Sequence, residues 1–232
     1  MFKNIRRLFF DSGMVLVHPQ SGEWFYPKVY KDFCGRHKLP EKSLYQYLNF
    51  QRAYNYLNKR STIKTTAEEY DAFITFYQIL FHNLKGKDIP ELIKLCADAK
   101  VYKNFETIFY DDVKDTIEEL RLHYDLGIIS DAWPSLLNVY RENGMLKYFE
   151  PFIISSMYGC TKQGLNLFKF ALENVAEHAD ECLFIDDSIE NCKRAKKLGM
   201  KVIVLNRNSF YKPNSTIPFV CSMTELQKLL LD

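Results

Sequence analysis

Two apolar segments of the chain end in carboxylates, a pattern suited to holding a cation. Residues 182–187 read CLFIDD, so Asp186 and Asp187 end a strand-like run, and residues 7–11 read RLFFD and end in Asp11. Neighbouring carboxylates at a buried strand end repel each other and lose solvation. A metal ion or a cationic side chain between them offsets this cost. Because ligands of open α/β sheets bind outside the carboxyl ends of strands, we expect these acids to face one crevice.

A hydroxyl and an ammonium group lie between these acids in the sequence. Ser130 ends the apolar run that begins at residue 126, and Lys162 follows the run at 152–155. A carboxylate such as Asp11 can attack phosphorus and form an aspartyl-phosphate, which divides hydrolysis into two easier steps. A hydroxyl and an ammonium can hold the phosphoryl oxygens, where negative charge spreads in the transition state. Mg²⁺ prefers oxygen ligands and usually takes one or two carboxylates with water and phosphate.

The elements that must position these groups alternate between strand and helix. Apolar strand-like runs lie at 126–130, 152–155, 182–187 and 201–205, and amphipathic segments lie between them. This alternation predicts a parallel sheet covered by helices on both faces, joined by an N-terminal strand at 5–10. The tail from Ser209 onward is expected to give a short strand near Phe219 and a terminal helix.

The segment between the first strand and the rest of the sheet has a different pattern. Residues 19–105 carry helical periodicity and no clear strand, which predicts an inserted helical subdomain. The predicted fold class is therefore α/β, with a doubly wound, Rossmann-like parallel sheet and an inserted α-helical cap. The core domain would span 1–18 and 106–232, and the cap 19–105.

The composition is that of an ordinary globular protein. Of 232 residues, 47% are hydrophobic and 26% charged, and the net charge of +2 is too small for the basic stripe that nucleic-acid binding needs. No leader-like pattern precedes Phe2, and no apolar run approaches the roughly 18 residues that span a bilayer. Six scattered cysteines predict free thiols and a cytoplasmic location. We expect no nucleic-acid or membrane partner, and a monomer or a homodimer.

Four motifs together resemble a known family. They read FDSGMVL at 10–16, IISD at 128–131, KQGLNLF at 162–168 and FIDDSIEN at 184–191. In this order and strand context they resemble the haloacid dehalogenase superfamily, in its phosphatase-like branch with a helical cap after the first strand. The resemblance covers residues 5–18 and 107–206, and the third motif lacks the proline of the family's KPDPxIF pattern.

The resemblance implies a Mg²⁺ cofactor and a ligand set for it. Asp11 would be both the nucleophile and a metal ligand, and the backbone carbonyl of Gly13 would be a second ligand. Asp187 would be the main metal ligand of the fourth motif. Asp186 would lie beside it in the metal site, orienting Lys162 or a metal-bound water.

The resemblance also implies residues that bind the substrate. The hydroxyl of Ser130 would bind phosphate, and Lys162 would neutralise charge on Asp11 and on the phosphoryl group. Ser12 and Asp131, which adjoin Asp11 and Ser130, are included among the substrate-binding residues. The substrate would be a small phosphorylated metabolite, hydrolysed as a phosphomonoester.

One departure from the family pattern leaves other functions open. Gly13 takes the position of the second Asp that serves related phosphatases as general acid and base, a role typically worth about 10²–10⁴-fold. Slow turnover, or reliance on an activated leaving group, is therefore expected. The same glycine, with the missing proline, favours an alternative in which the protein binds a phosphorylated ligand or a partner with little catalysis. A further alternative is a metal-independent 2-haloacid dehalogenase, against which the Asp186–Asp187 pair argues.

Overall fold

The structure, a computed structural model, describes residues 2, 4–60, 62–103, 107–208 and 216–232. It divides into two compact units. The sheet unit comprises Met1–His18, Phe109–Ala132 and Tyr140–Asp232, and the helical unit comprises Pro19–Ile108 and Trp133–Val139. The domain boundary predicted between residues 105 and 106, and the start of the tail at Ser209, lie outside the described residues.

The described strands and helices alternate along the sheet unit. The strands are β1 (Arg7–Phe10), β2 (Val17–Pro19), β3 (Thr107–Phe109), β4 (Asp125–Ser130), β5 (Phe152–Ile154), β6 (Cys182–Asp186), β7 (Lys201–Leu205) and β8 (Phe219–Val220). The helices are α1 (Lys28–His37), α2 (Leu44–Asn58), α3 (Thr66–Leu80), α4 (Ile89–Val101), α5 (Val113–Leu120), α6 (Ser135–Glu142), α7 (Ser155–Tyr158), α8 (Asn166–Glu173), α9 (Ile189–Lys197) and α10 (Met223–Leu231).

Six of the described strands form one parallel sheet in the order β5-β4-β1-β6-β7-β8. The central strand β1 is apolar and its residues Leu8, Phe9 and Phe10 are fully buried, as expected for a parallel sheet covered on both faces. The predicted α/β fold class is confirmed. The short pairing of β2 with β3 was not foreseen, because three-residue strands carry too little periodicity to be recognised.

The helical unit is built around aromatic side chains. On α3, Phe73, Phe76, Tyr77 and Leu80 are buried at the spacing of one helical face. The helix begins at a capping box in which the Thr65 hydroxyl accepts a hydrogen bond from the Glu68 backbone N–H. None of the helices described in either unit is both long and apolar enough to cross a bilayer.

Segment Trp133–Val139 groups with the helical unit, although the sequence analysis assigned it to the core domain. The indole of Trp133 packs edge-on against Phe73, with ring centroids 5.3 Å apart, and against Phe25 at 6.0 Å. Because these partners lie far away in sequence, no local pattern announces the contact.

Candidate active site

The carboxyl ends of three adjacent strands bring the predicted acidic and hydroxyl groups to one edge of the sheet. Asp11 directly follows β1, Ser130 ends β4 and Asp186 ends β6. Strand β1 lies between the other two, and the residue before Asp11, Phe10, pairs in register with both neighbours. Parallel pairing therefore sets Asp11 level with the ends of β4 and β6.

A buried lysine joins two of the acids. The Nζ atom of Lys162 lies 2.8 Å from Oδ1 of Asp11 and 2.7 Å from Oδ2 of Asp186. The lysine and Asp186 are fully buried or nearly so, and Asp11 is 7% exposed. Burial lowers the pKa of the Lys162 ammonium, but the carboxylates of Asp11, Asp186 and Asp131 outweigh it and raise that pKa well above its usual range. Lys162 therefore stays charged.

Asp187 adds a third carboxylate. Oxygens of Asp11, Asp186 and Asp187 all lie within 4.8 Å of one another. Burial raises the pKa of Asp11 to about 7; the ammonium of Lys162 opposes the rise, and the charges of Asp186 and Asp187 add to it. Burial and the charge of Asp186 raise the pKa of Asp187 to about 6. If all three carboxylates are ionised, the single ammonium leaves two negative charges, which a divalent cation would balance.

The oxygens of Asp186 are already engaged by groups from the chain. Its Oδ1 accepts a hydrogen bond from the Ser188 backbone N–H at 2.7 Å. The Nδ2 of Asn191 donates to Oδ2 at 3.1 Å, beside the bond from Lys162. These donors fix the carboxylate in the orientation that holds Lys162. Asn191 ends the fourth motif of the sequence, which by itself predicts no role for this residue.

Asp131 and Ser12 each make a hydrogen bond within the chain. Oδ1 of Asp131 accepts a hydrogen bond at 2.9 Å from the backbone N–H of Lys162, and so ties the loop that carries the lysine to the end of β4. The Ser12 hydroxyl lies 2.8 Å from the hydroxyl of Tyr140, and both residues are buried. Tyr140 was missed, because an aromatic residue at this position of a helix is typical of a core.

Half of the predicted site residues meet at one place in the structure. Asp11, Lys162, Asp186 and Asp187 form one charged cluster, with Ser130 buried at the end of the adjacent strand. Gly13 lies in the loop after β1, where it forms a bridge with Val17. This arrangement joins a carboxylate that could act as a nucleophile, a fixed cation and oxygen ligands for a metal.

The helical unit has a buried charged group of its own. Glu69 of α3 is fully buried and accepts hydrogen bonds at 2.7 Å from the backbone N–H and the hydroxyl of Ser135. Burial raises the pKa of Glu69 to about 7, while these hydrogen bonds and the charge of Lys100 oppose the rise. The Lys100 ammonium lies between 5.4 and 5.7 Å from the centres of four aromatic rings, those of Trp24, Phe25, Phe73 and Trp133.

The fold and the site define an α/β protein with an acidic cluster and a buried lysine at the carboxyl edge of its sheet. The family model for haloacid dehalogenase-like hydrolases matches residues 39–205, and the chain belongs to this family. The match begins beyond Asp11 and includes Ser130, Lys162 and the Asp186–Asp187 pair.

Comparisons with individual proteins give relatives of two kinds. The chain is 26% identical over 173 residues to a glyceraldehyde 3-phosphate phosphatase from Methanocaldococcus jannaschii, covering 70% of this chain and 71% of the relative. It resembles the structure of an HAD phosphatase from Thermococcus onnurineus with a TM-score of 0.65 and 21% identity, over 97% of this chain and 98% of the other. It also resembles L-2-haloacid dehalogenase from Xanthobacter autotrophicus, with a TM-score of 0.69, 16% identity and 98% coverage of both chains. At these identities the structural likenesses support the fold alone.

Proposed function

We propose that the protein hydrolyses a small phosphomonoester in a Mg²⁺-dependent reaction through an aspartyl-phosphate on Asp11. The observation that carries the proposal is the bridging of Asp11 and Asp186 by the buried Lys162, with Asp187 completing the acidic cluster. A dehalogenase of this family needs no metal, so the excess of negative charge at this site supports a phosphatase instead.

The donor set fits a magnesium ion. Carboxylate oxygens that lie within 4.8 Å of one another suit a hard cation that prefers oxygen ligands. Asp11 and Asp187, with the backbone carbonyl of Gly13, would hold the ion, and Asp186 would adjoin it while orienting Lys162. When bound, Mg²⁺ supplies positive charge against the phosphoryl oxygens.

The chain's own residues account for the two steps of the reaction. A carboxylate oxygen of Asp11 forms a bond to phosphorus as the bond from phosphorus to the ester oxygen breaks. The leaving group takes its proton from solvent, because Gly13 offers no acid. Water then attacks the phosphorus, the bond to Asp11 breaks, and phosphate leaves with the carboxylate restored. The Lys162 ammonium and the Ser130 hydroxyl hold the phosphoryl oxygens through both steps.

The substrate class and setting are part of the same proposal. The phosphatase from Methanocaldococcus jannaschii is named for a small phosphorylated metabolite, which supports a substrate of this size here. The cysteines within the described part of the chain form no disulfide bonds, which supports a reducing cytoplasm. We propose a monomer or a homodimer that binds neither nucleic acid nor membrane.

Hydrolysis of p-nitrophenyl phosphate, with Mg²⁺ and with EDTA, tests the proposal. Its leaving group is activated, so the missing acid at Gly13 matters least for this substrate. Turnover that needs Mg²⁺ and is lost in Asp11→Asn supports the proposal, and turnover that survives EDTA refutes it. Release of chloride from 2-chloropropionate without metal would support a dehalogenase instead.

A second candidate function follows from Gly13 itself. A protein that binds a phosphorylated ligand without useful catalysis would not need the missing acid. In that case inorganic phosphate or vanadate would raise the melting temperature while no phosphate ester is hydrolysed. Measurable turnover of any phosphomonoester, lost in Asp11→Asn, would exclude this candidate.

A further inference from the structure

Arg207 is a mostly buried residue that makes several contacts beside the segment that follows Asp11. Its Nη2 and Nε atoms donate to the backbone carbonyl of Val15 at 2.7 and 3.2 Å. Its Nη1 atom lies 2.7 Å from Oδ1 of Asp112, and the guanidinium carbon lies 3.8 Å from the centre of the Tyr110 ring. The guanidinium is therefore held along one edge by the Val15 carbonyl, along another by the Asp112 carboxylate, and on one face by the Tyr110 ring.

The segment that Arg207 contacts is a tight loop. The backbone N–H groups of Leu16 and Val17 both donate to the carbonyl of Ser12 at 2.9 Å, and that of Met14 donates to the carbonyl of Val17 at 2.7 Å. Met14 has a φ of 60°, a left-handed conformation that a side chain other than glycine adopts at a cost. Such a conformation persists only where the surroundings hold it.

The loop is held from outside at two neighbouring carbonyls. Arg207 holds the carbonyl of Val15, and the backbone N–H of Tyr110 donates to the carbonyl of Leu16 at 3.1 Å. The two hydrogen bonds to Val15 are donated by a residue just beyond β7, 192 residues away from Val15 in sequence. Gly13, two residues before Val15, lies in this loop and forms a bridge with Val17, so the path of the loop sets the direction of its carbonyl.

We propose that Arg207 is a positioning residue that holds the loop after Asp11 so that the Gly13 carbonyl faces the metal site. The inference rests on the proposed function, because it assigns Arg207 to the magnesium site proposed above. Residues that orient metal ligands from outside typically change metal affinity by about 10–100-fold when they are replaced. A lysine can replace the guanidinium only in part, since it presents a single ammonium in place of three planar nitrogens.

Arg7 offers a matched control at the other end of β1. Like Arg207 it is mostly buried, with side-chain exposures of 11% and 15%. It also donates to a carboxylate, at 2.9 Å to Glu177, and to a backbone carbonyl, that of Glu150. Its replacement should therefore destabilise the sheet unit to a similar degree without touching the loop after Asp11.

The experiment measures Mg²⁺ affinity by calorimetry and backbone amide exchange of residues 13–18 in the full-length wild type, Arg207→Met, Arg207→Lys and Arg7→Met. We expect Arg207→Met to weaken Mg²⁺ binding about 10–100-fold and to speed exchange in the loop. Arg207→Lys should restore part of the affinity, and Arg7→Met should leave affinity and loop exchange as in the wild type.

The outcomes separate this inference from the proposed function. A wild type that binds no Mg²⁺ refutes the proposed metal site and this inference with it. If the wild type binds Mg²⁺ and Arg207→Met binds it as tightly as the wild type, or no more weakly than Arg7→Met does, the role of Arg207 is refuted and the proposed metal site is not. Should Arg207→Met fail to fold, Arg207→Lys against Arg7→Lys carries the test with the same expected direction.

Discussion

The Nζ atom of Lys162 lies 2.7 Å from Oδ2 of Asp186, with only 2% of the lysine side chain exposed. The same ammonium lies 2.8 Å from Asp11, so one buried cation serves two carboxylates from two strands. A buried ion pair contributes little net stability, but removal of one partner leaves the other charge without compensation. The lysine is therefore as important to the fold of this edge as to any chemistry there.

Replacement of Lys162 by methionine should destabilise the sheet unit strongly. Two buried carboxylates would lose their shared ammonium, and breaking a buried pair in this way costs about 3–5 kcal/mol. Urea unfolding without metal, compared with the wild type, measures the loss. Lys193→Met is the control, because Lys193 forms a solvent-exposed pair with Glu190, and such pairs contribute little to stability. Equal losses in the two variants would contradict the prediction.

Replacement of Asp11 by asparagine should remove hydrolysis while keeping the fold. Asparagine retains an oxygen that can accept a hydrogen bond from Lys162 but cannot form the covalent intermediate. Removal of a covalent nucleophile lowers turnover on the order of 10⁴-fold or more. Steady-state hydrolysis of p-nitrophenyl phosphate measures the loss. Asp125→Asn, at the other end of the sheet, is the control and should keep wild-type turnover; a variant Asp11→Asn that does the same rules out Asp11 as the nucleophile.

Magnesium should stabilise the protein through Asp187. A ligand that binds only the folded state adds about 2.7 kcal/mol to the free energy of unfolding at 100 times its Kd. The wild type should show this gain with Mg²⁺ and lose it with EDTA, and Asp187→Asn should show little of it. Asp180→Asn, at an exposed position, should respond as the wild type does. A full response to Mg²⁺ in Asp187→Asn would show that the ion binds elsewhere.

The strand-end groups were predictable because the pattern that marks them is local. An apolar run that stops at Asp11, Ser130 or Asp186 indicates both the strand and its end, and parallel pairing then brings such ends to one edge. The α/β fold class followed from the same alternation of strands and helices. The finer roles of these residues came from the family resemblance, since the spacing of residues does not assign a nucleophile.

The contacts that were missed join distant segments without a local pattern. Tyr140 meets Ser12 across 128 residues of sequence, and Arg207 meets Val15 across 192. From the local sequence alone, Tyr140 is expected to be a core aromatic residue and Arg207 a surface arginine. Only the folded chain shows which backbone carbonyl or hydroxyl lies opposite.

The stability of the helical unit should depend on pH through Glu69. Burial raises the pKa of this carboxyl from 4.5 to about 7, against the opposing effects of the Ser135 hydrogen bonds and the charge of Lys100. The folded state thus binds a proton that the unfolded state releases between these values. The stabilisation that comes with this proton is present below about pH 4.5 and is lost as the pH rises through about 7.

Comparison of the wild type with Glu69→Gln isolates this contribution. The free energy of unfolding of the wild type, relative to the variant, should fall by about 2–3 kcal/mol between pH 5 and pH 8. Both tryptophans of the chain, Trp24 and Trp133, lie in the helical unit, so their fluorescence during urea unfolding reports on that unit. Glu68→Gln is the matched control, because hydrogen bonds from Lys64 and Thr65 lower the pKa of the exposed Glu68 and reverse the sign. Parallel pH profiles for the wild type and Glu69→Gln would mean that Glu69 titrates as an ordinary surface carboxyl.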